Sequence, residues 1–140
     1  LVVGGAAALL TAPARAAVPD RLNFAGLYKS IGVRGMEFSD RVRALQGKTV
    51  SIRGYMAPPL KAESRFFVLS SEPLALCPFC QSDADWPVDI VVIYLSRVMP
   101  LLSAGERIEV EGRLEAGSWQ DPESGFVSLL RLVDAEYHHV

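Results

Sequence analysis

Two cysteines stand three residues apart in Cys77-Pro78-Phe79-Cys80, and they are the chain's only thiols. This spacing supports three chemistries. The pair can close a local disulfide, supply half of a metal site, or cycle as a dithiol redox couple. Thiolate sulfur is soft, so the metals it favours are zinc and copper(I). Asp83 and Asp85 follow in the polar tail, and His138 and His139 stand next to the final residue. These four are the candidates for the remaining ligands. Adjacent strand residues face opposite sides, so at most one of the two histidines joins a given site; the plainer reading of the pair is a solvated tail.

The redox reading needs a depressed thiol pKa at the start of a helix. Here Cys80 is followed by residues that run to Pro87 and into an apolar strand pattern. Acidic Asp83 and Asp85 would raise a thiol pKa. A thiol–disulfide protein using Cys77 and Cys80 is therefore the alternative to a binding role. A disulfide between them would close a tiny loop and add little stability through chain entropy. Trp86 and Trp119 fall in predicted loops, where an indole anchors a partner or folds back as a cap. No GxSxG, HExxH, Walker or GxGxxG pattern occurs, and a non-enzymatic chain is expected.

Several elements must position these residues. Leu22, Ala25 and Tyr28 recur at helical spacing, which predicts a helical or irregular lead-in over 17–47. Within it Ser39-Asp40 forms a helix start, Val42 and Leu45 an apolar pair, and Gly47 a stop. From Lys48 the period becomes two, as in a strand, and Gly54 within it signals a bend or a close backbone approach. Strands are predicted over 49–56, 65–70, 88–95, 107–115 and 126–132, the last reaching toward Tyr137. The third is apolar on both faces and reads as central. A short helix is predicted between the third and fourth strands, over 96–105. Arg107, Glu109, Glu111, Arg113 and Glu115 alternate with apolar residues and read as a solvated strand face. This order predicts a mainly β domain over 48–140, a five-stranded OB-like Greek-key barrel.

Residues 1–16 are of another kind, apolar and uncharged up to Arg15, with the small-x-small triplet Ala14-Arg15-Ala16. They read as a truncated signal peptide that is removed on export. Roughly ten apolar residues are too few to span a bilayer. The expected address is the periplasm, with a soluble mature chain in an oxidising compartment. The 140 residues suit one domain, and a net charge of −2 with pI near 5.7 leaves no electrostatic footprint for nucleic acid.

The stretch 47–60, Phe66-Phe67-Val68-Leu69, the cysteine segment and Val110-Glu111-Gly112-Arg113-Leu114 together resemble a group of uncharacterised exported bacterial proteins with a small OB-like barrel. The resemblance covers the chain from Gly47 onward. It implies a gene neighbourhood with ABC transporters and hence an accessory role at the cell envelope, with a transporter component as partner. It brings no catalytic residue. The resulting expectation is a non-enzymatic periplasmic binding or accessory protein, metal-handling or transporter-associated, whose functional site is the CPFC loop.

Overall fold

The computed structural model describes residues 18–32, 35–57, 65–73, 89–100 and 106–140. The chain is mainly β. Strand β1 (Asp20–Leu22) leads through a single 3-10 turn, Phe24–Gly26, into β2 (Tyr28–Gly32) and β3 (Gly35–Phe38). Helix α1 (Asp40–Leu45) follows, then β4 (Thr49–Met56), β5 (Phe66–Ser70), β6 (Ile90–Leu95), β7 (Arg107–Gln120) and β8 (Val127–His139).

The lead-in is not helical. Leu22 ends a strand, Ala25 sits in the 3-10 turn and Tyr28 opens a hairpin. Their spacing of three is thus shared by three short elements. Pairing overrides the local pattern: β1 runs parallel to β4, and β2 pairs antiparallel with β3. Asn23 closes the turn by accepting the Gly26 N–H at 2.8 Å. One helix does form where the cap signals place it. Ser39 Oγ accepts the Val42 N–H at 3.2 Å, Val42 and Leu45 are buried, and Gly47 takes a φ of 81°.

Six strands form one sheet in the order β1-β4-β5-β6-β8-β7, and an additional β4–β7 pairing links its last strand to its second. All its neighbours are antiparallel except β1–β4 and β6–β8. The alternating apolar residues of β4, β5, β6, β7 and β8 meet inside, with Ile52, Met56, Phe67, Ile93, Ile108, Leu114 and Leu132 among the fully buried side chains. Each such burial contributes about 2 kcal/mol. As its two apolar faces predict, β6 is interior to the sheet: Val91, Ile93 and Leu95 join the main core, while Ile90 joins Ala57 and Val68 in a second cluster.

The predicted helix after β6 is absent from residues 96–100, its described part. Ser96 instead donates its N–H to the Ala135 carbonyl at 3.0 Å, which holds the chain against β8. Residues 101–105 lie outside the described residues. Among the described residues no helix is long and apolar enough to cross a membrane.

Candidate functional site

Cys77, Cys80, Asp83, Asp85 and Trp86 lie outside the described residues. The roots of their segment are described. Ser70 pairs with Ile90 at the connected end of the β5–β6 pair, and the Ser71 N–H donates to Asp89 O at 3.1 Å. Ser70 is fully buried, and its hydroxyl donates to Glu72 O at 2.6 Å. The cysteine segment therefore leaves and re-enters the sheet through a tightly bonded neck.

The same cross-strand row connects this neck to the end of the chain. Ile90 faces Ser70, Ser70 faces Tyr55, and Tyr55 faces Arg107; beside it Ile108 faces His139. Neighbouring strands lie about 4.8 Å apart, so the neck and the terminal histidines are separated by about 15–20 Å along this row.

His138 has a partner that strand alternation alone did not reveal. Arg53 on β4, Glu109 on β7 and His138 on β8 are in register across three strands. Glu109 Oε2 takes His138 Nε2 at 3.0 Å, while Oε1 accepts Arg53 Nε and Arg21 Nη2, each at 3.2 Å. The Glu109 side chain is only 11% exposed. Burial pushes its pKa up, but the Arg53 hydrogen bond and the charges of Arg53, Arg21 and His138 prevail and hold the carboxyl below its ordinary value. The solvated-face reading of β7 thus fails at Glu109, because β1 and β4 bring two guanidinium groups over it.

Glu109, Glu111 and His138 each offer a ligand atom, all within 4.8 Å of one another. A histidine and two carboxylates suit a divalent cation, but the two arginines already compensate Glu109 and repel one. His139 is exposed and lies outside this group.

Trp119 is 39% exposed and is not a free anchor. Its ring meets Tyr94 edge-on with centroids 5.4 Å apart, and the Arg131 guanidinium carbon lies 5.2 Å from its centroid. Arg131 is 8% exposed in its side chain and bonds Glu115 Oε2 at 3.3 Å and Gly117 O at 2.8 Å. Tyr94 donates its hydroxyl to Asp121 Oδ2 at 3.2 Å. Burial first, and then the Asp121 charge, raise the Tyr94 pKa far above the usual phenol value. Asp121 is lowered: burial opposes this, but the backbone N–H groups of Glu123 and Ser124 and the Ser124 and Tyr94 hydroxyls stabilise its charge.

Sequence reasoning missed Glu109, Arg21, Arg53, Tyr94 and Arg131. The charge alternation of 107–115 was a signal, but it carried no information on which partner strand lies beside it.

The site therefore belongs to a mainly β domain with a bonded neck at Ser70 and Ile90 and a buried carboxylate on β7 that meets its final strand. Among solved structures it resembles a DUF3299 family protein from Pseudomonas aeruginosa PAO1, with a TM-score of 0.55 and 12% sequence identity over 88% of this chain and 98% of that chain. That likeness is one of fold, to a protein of an uncharacterised family. No family model matches the chain, and the curated proteins give no match.

Proposed function

We propose that this chain is a non-enzymatic binding or accessory protein of the bacterial envelope, exported to the periplasm and soluble there, with the CPFC segment as its functional site. The observation that carries the reading is the neck: the cysteine segment is an insertion between two paired, buried strand ends, so it can engage a ligand without disturbing the core. The scaffold is read as an OB-like barrel. That reading is supported by the sequence of pairings β4-β5-β6-β8-β7 with β7 also on β4, and by the parallel β6–β8 pair. The partner proposed is a component of an envelope ABC transporter, and nucleic acid is not a ligand.

Cys77 and Cys80 either bind zinc or copper or are joined as a disulfide. In the metal case Asp83, Asp85, His138 and His139 are the candidates for the remaining ligands. A native mass spectrum of protein isolated from the periplasm without reductant or chelator separates the states. A stoichiometric metal adduct, lost on acidification and lost in Cys77→Ser/Cys80→Ser, supports metal handling. A mass two hydrogens light, without adduct, makes the segment a disulfide-closed contact surface. The double variant is expected to keep its β circular dichroism and lose binding. Its unfolding would make the pair a staple, and turnover in an insulin-reduction assay would replace the binding role with a thiol–disulfide one.

A further inference from the structure

The carboxylate that gathers cations on the outer face of the sheet does not balance them. Arg21 Nη2 on β1 and Arg53 Nε on β4 donate to the same Glu109 oxygen, Oε1, each at 3.2 Å. Arg41, in the first turn of α1, donates its Nη2 to the Arg21 carbonyl oxygen at 2.9 Å. A third guanidinium is thereby held beside β1, and it makes no ion pair among the described residues. Asp20 shares the face of buried Leu22, away from Arg21. Glu111 lies within 4.8 Å of Glu109 and His138 but bonds none of the three arginines. Three guanidinium charges against the carboxylates of Glu109 and Glu111 leave one positive charge unmatched.

The same geometry leaves donors unused. Among the described residues, both Nη groups of Arg53 and the Nε and Nη1 groups of Arg21 have no protein acceptor. The side chains of Arg21 and Arg53 are 59% and 34% exposed, so these groups are open to a solute. Glu109 is buried and takes both arginines on one oxygen, which fixes two guanidinium forks without covering them. Such planar forks match the oxygens of phosphate, and holding them in place beforehand reduces the entropy lost on binding. The charges that repel a divalent cation here attract an anion.

We propose that Arg21, Arg41 and Arg53, anchored on the Glu109 carboxylate, form an oxyanion site for a phosphate group. The group is free phosphate or the headgroup of an anionic phospholipid, since both present the same oxygens. The site stands on β1, α1 and β4 and uses neither Cys77 nor Cys80.

Arginine Nε–H NMR spectra of the full chain, titrated with inorganic phosphate at constant ionic strength, test it. Arg21, Arg41 and Arg53 are expected to shift together and saturate, while Arg113, paired with Asp134, stays unmoved. Arg21→Gln and Arg41→Gln, both at exposed positions, should each weaken binding about tenfold, as loss of one charge-assisted contact implies. Co-sedimentation with phosphatidylglycerol vesicles separates the two sources. Saturation by phosphate without vesicle binding assigns free phosphate, and vesicle binding that is weakened in both variants assigns the headgroup. Failure of both assays overturns the proposal. So do equal shifts at Arg113 or with chloride in place of phosphate, and so does an affinity left unchanged by either substitution.

Discussion

Glu109 occupies a position that alternation assigns to solvent, yet three groups from three other strands, Arg21, Arg53 and His138, meet around its carboxylate. Its folded-state pKa is depressed, so the stability it confers is present above the ordinary carboxyl value of about 4.3 and is lost as pH falls through its lower folded value. Glu109→Gln should cost about 2 kcal/mol at neutral pH through loss of its charge-assisted bonds. Urea midpoints should show that deficit shrinking as wild type and variant are acidified below the carboxyl range. An unchanged deficit there would assign the effect to shape and not to charge. Tyr137 is the opposite case. Its hydroxyl is buried with no hydrogen-bond partner among the described residues, and its ring packs edge-on against Phe67 at 5.9 Å. Burial raises its pKa, in keeping with an unsolvated phenol. Tyr137→Phe is expected to be neutral or stabilising by up to about 1 kcal/mol in thermal melts.

At the scale of elements, capping chemistry was legible where periodicity misled. Ser39 caps α1 and also donates its hydroxyl to Gly26 O at 2.6 Å, tying the helix to the turn before it. Ser39→Ala should therefore destabilise by about 1–2 kcal/mol, toward the upper part of the range for N-caps, as read from a guanidinium unfolding curve. The i, i+3 pattern of the lead-in carried no comparable constraint. Three apolar residues at that spacing fit a helix, a turn or successive strand ends, and only the open edge of β4 selects the strand for β1. Only 107–115 of β7 was readable, from the alternation of Ile108, Val110 and Leu114; the strand runs on to Gln120, so Trp119, expected in a loop, stands on it.

At the scale of the molecule, Gly54 shows how pairing on both sides of β4 is achieved. A Cβ there would lie 2.6 Å from the Ser70 carbonyl oxygen and 3.0 Å from Leu69. The close approach that a mid-strand glycine signals is thus the approach of β5 to β4, at the neck of the cysteine segment. Gly54→Ala must push backbone away from backbone, and a loss of about 1–3 kcal/mol is expected. Amide exchange should localise the damage to the β4–β5 junction; a uniform loss of protection would mean that the junction is not a separable unit.

The sequence by itself determined what depends on neighbours along the chain. It placed the strand periods of β4 to β8, the Ser39 cap, the Gly47 stop and the close approach at Gly54, because each is a local pattern with a local physical cause. It also singled out the cysteine pair, whose spacing admits three chemistries. Only the tertiary structure decided that 20–38 is built of strands and a turn, that Glu109 gathers Arg21, Arg53 and His138, and that Trp119 rests on Tyr94 and Arg131. Those outcomes depend on which strand lies beside which and in what register. Register is set by long-range pairing and by burial of one face, and an alternating pattern constrains only which face that is.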